Sequence, residues 1–168
     1  MNTEVLIHIF SSIPSWLAVI MIAMLPVAEL RLSIPIAIVG FGLDPLTAFS
    51  LSVIGNMIPV IPLLLFLEPV SNFLRRWRLW DTFFTWLFDR THRRHSVRFE
   101  KYGAIGLAIF VGMPLPVTGA WTGCAAAFVF GFKFKNALIA IFAGIIAAGL
   151  AVTTFTIFGD GLFNYIFQ

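Results

Sequence analysis

Pro26-Val27-Ala28-Glu29-Leu30-Arg31-Leu32-Ser33-Ile34-Pro35 decides how this chain is read. It sets a carboxylate and a guanidinium inside a segment otherwise apolar enough for a membrane interior. A charge at the bilayer centre costs at least ~2.5 kcal/mol, so such residues are seldom placed there without a role. A second stretch, Met113-Pro114-Leu115-Pro116-Val117-Thr118-Gly119-Ala120-Trp121-Thr122-Gly123, also breaks an apolar run at mid-length. The rest of the chain is expected to bring the two breaks together.

Working outward, 60% of the 168 residues are hydrophobic and 11% are charged, and the mean hydropathy is +0.96. Soluble domains hold about 25% charged residues. The composition therefore predicts an integral membrane protein, all-α because no alternating strand pattern is visible. The length allows one domain and roughly four to six segments of ~20 residues. The N-terminus lacks the basic region and small-residue cleavage site of a signal peptide. Cys124 stands alone, so no intramolecular disulfide forms. His8, His92 and His95 are scattered, and no metal-ligand cluster, phosphate loop or hydrolase motif is present. No cofactor is implied, and no nucleophile–base pair can be assembled, which argues against an enzyme.

Long apolar runs cover residues 5–28, 45–67, 102–132 and 136–159. The third is too long for one straight span. Eight basic residues fall between them in one segment: Arg75, Arg76, Arg78, Arg90, Arg93, Arg94, Arg98 and Lys101. Excess Lys and Arg mark cytoplasmic loops, so this segment is expected inside. Phe73, Trp77, Trp80, Phe84, Leu87 and Thr91 recur every three or four residues and predict an amphipathic helix in the headgroup layer. Arg75, Arg76, Trp77, Arg78 and Trp80 are its candidate membrane-surface residues. The segment serves either as a topogenic linker or as a specific lipid- or partner-binding element.

Lys133 and Lys135 follow the broken third run. They stay on the cytoplasmic side only if that run enters the membrane and returns. Residues 103–113 then go in, 114–116 turn, and 118–132 come back. Such a re-entrant hairpin needs its tip buried in protein or facing a polar cavity. A shift of 89 residues aligns the halves: Ile20 falls on Ile109, Met24 on Met113, Gly42 on Gly131, Ala48 on Ala137 and Gly55 on Gly144. The expected fold is an inverted repeat of two re-entrant hairpins, each followed by a transmembrane helix. Residues 1–72 form the first repeat, 73–101 the basic cytoplasmic segment and 102–168 the second repeat. Broken helices meeting at mid-depth are a recurring transporter plan.

Glu29 and Arg31 are two apart, a spacing that does not bring side chains together on a regular helix. Each is expected to face another group or a wet cavity. Pro26, Pro114 and Pro116 suit the first turns of half-helices, whose N–H groups favour anions. Arg31 can bind phosphate bidentately. Glu29, between burial and a neighbouring cation, is the candidate proton-coupling group. Alternatively, Glu29 and Arg31 merely satisfy free backbone groups at the break. Thr118, Trp121 and Thr122 are the polar groups of the second tip, and Asn56 either lines a cavity or bonds between helices. The spacing of Gly119 and Gly123 fits plain helix packing. Pro59 and Pro62 are expected to kink the first long helix, and Thr153 and Thr154 to bond back to their own helix.

Glu29-Leu30-Arg31-x-x-Ile34-Pro35, the central basic loop, Tyr102-Gly103 and Pro114-Leu115-Pro116-x-Thr118-Gly119-Ala120-Trp121-Thr122-Gly123 together resemble the small multi-drug export protein family. That family is similar to the wider DedA/VTT group, which implies two facing re-entrant hairpins and an association with lipid scrambling, polyprenyl-phosphate recycling and proton dependence. By this resemblance Glu29, Arg31, Pro35, Pro114, Pro116, Thr118 and Trp121 fall on motif positions. DedA proteins carry arginines near the second hairpin, whereas Ala120 and Cys124 occupy that tip here.

The functional expectation is proton-coupled translocation of an anionic lipid or lipid phosphate. Glu29 couples the proton, and Arg31, Pro35, Asn56, Pro114, Pro116, Thr118, Trp121 and Thr122 bind substrate. Export of small cationic drugs and a non-transporting scaffold are the alternatives. Expected partners are membrane lipids, a small-molecule or lipid substrate, protons and a second copy in a homodimer, with no nucleic acid. The expected location is a prokaryotic plasma (inner) membrane.

Overall fold

In the computed structural model, the described residues are 13–74, 97–113 and 118–167. The predicted amphipathic helix with Arg75, Arg76, Trp77, Arg78 and Trp80 lies outside them, as do Pro114 and Pro116. Helix is the regular secondary structure of the described residues, with no strand among them. In chain order the helices are α1 (Ser15–Met24), α2 (Glu29–Pro35, continued by a π-turn over Ile36–Gly40), α3 (Pro45–Leu74), α4 (Val97–Gly112), α5 (Ala120–Val129) and α6 (Phe134–Phe167).

Two of these are long and apolar enough to cross a bilayer, Pro45–Phe66 of α3 and Phe134–Gly159 of α6. They coincide with the second and fourth apolar runs. The other apolar helices are half as long. α1 and α5 have 10 residues each, a rise of about 15 Å against a ~30 Å hydrocarbon core. The outward faces are apolar too, with Ile54, Leu65, Ile139, Leu150 and Phe155 exposed. In water this would be a large sticky surface; for an integral membrane protein it is the lipid-facing side.

The chain divides into two compact units, Met1–Ile58 with Ile145–Gln168, and Pro59–Gly144. In the first unit α1 and α2 form a hairpin whose core is Ile22, Ala28 and Ile36. A second cluster of Val19, Ala37 and Ala48 packs this hairpin on the start of α3. Gly55 allows the close approach: a Cβ there would lie 2.6 Å from the Ile20 carbonyl oxygen and 2.8 Å from the Ala23 Cβ. In the second unit Gly144 does the same on α6, where a Cβ would lie 2.7 Å from the Ala108 carbonyl oxygen and 2.6 Å from the Val111 Cβ. Gly123 packs on α4 in the same way, with a would-be Cβ 2.5 Å from Val111 Cγ2.

Both return helices also stop alike. Gly42 and Gly131 have φ of +65° and +68°, the left-handed geometry that glycine adopts at low cost. After α5 the bonds Phe132 N–H to Ala127 O and Gly131 N–H to Phe128 O make a Schellman cap. After α2 the closing bond runs from Leu43 N–H to Ala37 O, one residue wider because the last turn is π. Asp44 then caps α3, its Oδ2 accepting from the Thr47 N–H at 2.8 Å.

Candidate functional site

The first break is built by three departures from helix geometry. Leu25 leaves α1 in an extended conformation, ψ 133°. One turn follows, closed by Glu29 N–H donating to the Leu25 carbonyl at 3.0 Å, with Val27 at the exposed tip. Glu29 then has φ +46°, the only described non-glycine residue in the left-handed region. Such a geometry costs an L-residue roughly 1–2 kcal/mol. Pro26 therefore sits in the connecting turn, three residues before α2, and not in the first turn of the half-helix as its sequence position suggested.

Glu29 is 94% buried at the start of α2, whereas Arg31 is half-buried. The two attract each other electrostatically. Glu29 lies outside regular helix geometry, so the rule that residues two apart diverge does not govern this pair. Pro35, half-buried, closes α2. It has no N–H to give to the Arg31 carbonyl four residues back, and the π-turn begins directly after it. Pro35 thus shapes the helix that carries the charged pair.

The rest of this buried polar set links α2 to α3. Ser33 Oγ donates to Ser52 Oγ at 2.8 Å, and both residues are fully buried. Asn56, one turn beyond Ser52, is 1% exposed, and its Oδ1 has no hydrogen-bond partner among the described residues. Glu29, Ser33, Ser52 and Asn56 are the buried polar or charged residues of the described core. All belong to the first unit.

The second break is held by hydroxyls. Thr118 Oγ1 donates to the Met113 carbonyl at 2.6 Å, tying the two sides of the gap together. Gly119 then stands at the N-cap of α5, and Thr122 Oγ1 donates to the Gly119 carbonyl at 3.2 Å. Trp121 is half-buried and Thr122 exposed. Cys124 is buried, its thiol 3.9 Å from the Val60 carbonyl. On α6, Thr154 bonds back to Leu150 as expected. The Thr153 hydroxyl is buried without a hydrogen-bond partner among the described residues, contrary to that expectation.

The structure thus gathers Glu29, Arg31, Pro35 and Asn56 in one unit, and Thr118, Trp121 and Thr122 in the other. Sequence reasoning missed Ser33 and Ser52. Their signal was present: each stands four residues from a candidate, Ser33 from Glu29 and Ser52 from Asn56, the spacing at which residues of a regular helix are neighbours.

No curated protein and no solved structure matches the chain. A family profile does, over residues 29–151, a span that opens on Glu29 and takes in every candidate named above. By that match this integral membrane protein belongs to the family described as "Putative small multi-drug export protein".

Proposed function

We propose that the chain is a secondary transporter, not an enzyme, and that its first break binds an anionic lipid headgroup or lipid phosphate. One observation carries this reading. Of the two charges at the break, the carboxylate of Glu29 is buried and the guanidinium of Arg31 is partly open. A substrate arriving there meets a cation that presents a planar fork of donors, suited to phosphate oxygens. Glu29, buried two residues before it, is the proton-coupling carboxylate of this reading.

The half-length legs support re-entrant hairpins. Neither leg of either hairpin has the apolar length to cross alone, and the short return loops carry the chain straight into a helix that does. Each half then crosses an odd number of times, which makes the repeat inverted. The equivalent roles of Gly55 and Gly144, and of Gly42 and Gly131, support a true repeat. The Lys and Arg bias favours a cytoplasmic basic segment, and a homodimer would help cover the polar tips.

The family's description favours a second reading, export of small cationic drugs, with Glu29 as counter-ion. Arg31 opposes it, because it repels such a substrate. The test is transport in proteoliposomes, comparing a labelled anionic phospholipid and a labelled polyprenyl phosphate with a cationic dye. Movement of an anionic lipid, lost in Arg31→Ala, is the expected result. Dye movement driven by a pH gradient, with both lipids static, would replace this reading with the export one.

A further inference from the structure

Two observations fix how α2 lies on α3. Ser33 bonds Ser52, and Ala37, one turn along α2, shares a core cluster with Ala48, one turn back along α3. The helices are therefore antiparallel, as the short connection through Gly42 requires. Continuing the register by one turn in the other direction brings the backbone of Glu29 level with Asn56. Asn56 is fully buried, and its Oδ1 lacks a hydrogen-bond partner among the described residues. An orphaned buried acceptor costs about 1–3 kcal/mol, so a retained one calls for an occupant.

We propose that Asn56 is the hydrogen-bond partner of the Glu29 carboxyl group, turning its amide over as Glu29 gains or loses its proton. A carboxylic acid offers an O–H and needs an acceptor; a carboxylate offers acceptors only. The Asn amide carries both an acceptor and two donors on one rotatable bond. Asn56 Oδ1 accepts from protonated Glu29, and Asn56 Nδ2 donates to ionised Glu29. The proton stays on Glu29, and Asn56 is a positioning residue.

The electrostatic surroundings are simple. α1, α3 as far as Ile58 and α6 from Ile145 to Phe158 contain no ionisable side chain. Among the described residues, the charged group that interacts with Glu29 is Arg31, on its own helix. Asp44 lies beyond the π-turn, at the cap of α3. A substrate anion engaging Arg31 would weaken its hold on the carboxylate and favour the acid form, for which Asn56 supplies the acceptor. The inference thus deepens the proton coupling proposed above and rests on it.

Infrared difference spectroscopy between acid and alkaline buffer tests this on the full chain in lipid nanodiscs. In the wild type we expect a protonated-carboxyl band that Glu29→Gln removes, together with a pH-dependent asparagine amide band. In Asn56→Leu, which keeps the volume without the amide, the Glu29 band should move to higher wavenumber and the amide signal should vanish. Asn56→Ala serves if the leucine variant does not fold, and Asn56→Ser, which keeps a hydroxyl, should return the band towards its wild-type position. A Glu29 band at the same frequency in the leucine and alanine variants overturns the proposal. So does an amide band that answers to sodium ions and not to pH, which would make the site one for a cation. Absence of any pH-dependent Glu29 band in the wild type removes the coupling and the inference together. A negative lipid-transport result with intact Asn56-dependent bands would instead remove only the substrate reading.

Discussion

Ser33 donates its hydroxyl hydrogen to Ser52 across 2.8 Å, joining the charged break to the first long helix. Both residues are fully buried. Interhelical hydrogen bonds in membrane proteins average about 0.6 kcal/mol and reach roughly 1.7. A double-mutant cycle with Ser33→Ala and Ser52→Ala, read by unfolding in detergent, should give a coupling energy in that range. A coupling of zero would mean that the pair is not formed in the membrane.

Gly55 and Gly144 should be far less tolerant than Gly106. Alanine at Gly55 would drive its Cβ against the Ile20 carbonyl, and at Gly144 against the Ala108 carbonyl; neither backbone can swing aside. Overpacking of this kind costs about 1–3 kcal/mol. Gly106, mid-helix in α4, has nothing near its would-be Cβ. There alanine should stabilise by up to about 1 kcal/mol, from helix propensity. Thermal unfolding of the three variants in one detergent checks the ordering. Equal effects at all three would contradict the close packing.

Glu29 should invert the usual ranking of alanine and glycine in helices. Its φ of +46° suits glycine and strains any residue with a Cβ. Glu29→Gly should therefore be more stable than Glu29→Ala by about 1 kcal/mol, although both lose the same carboxylate. Chemical denaturation of the pair reads the backbone alone, because the side-chain loss cancels.

Asp44 should make the start of α3 sensitive to acid. The Thr47 side chain and N–H stabilise its ionised form and hold its carboxyl below the usual carboxylate range. A depressed folded value gives stability that is present above the ordinary carboxylate range. That stability is lost as the pH falls through the folded value. Asp44→Asn keeps an acceptor at the cap, so the protection of the Thr47 amide, its exchange rate relative to that of an unstructured chain at the same pH, should lose its acid dependence in this variant. Wild-type protection that stays level into strong acid would speak against the cap.

Much of this architecture was legible because membranes leave few options. The two spans followed from apolar run length, and the breaks from prolines and charges inside such runs. Gly42 with Gly131 and Gly55 with Gly144 emerged from aligning the halves, since a turn and a close helix contact each demand glycine. The local geometry at Glu29 was not legible. Spacing rules presuppose a regular helix, and the backbone at position 29 is left-handed. The π-turn after Pro35 was accessible in principle from the missing proline N–H, but its width depends on how α2 meets α3. Asn56 stood out as a polar residue in a span, whereas its level with Glu29 depends on the register that Ser33 and Ser52 set.

The position of Gly55 bears on how the chain is made. The α1–α2 hairpin leaves the ribosome before the helix it docks on, and its legs of ten residues and of seven plus the five-residue π-turn are too short to be held as spans. Until α3 emerges, Ile20 and Ala23 have no partner glycine, and Ser33 has no Ser52. The same order recurs when α5 precedes Gly144 of α6. The close packing of each hairpin is thus completed late and twice over, each time only once the helix that carries its partner glycine has been made.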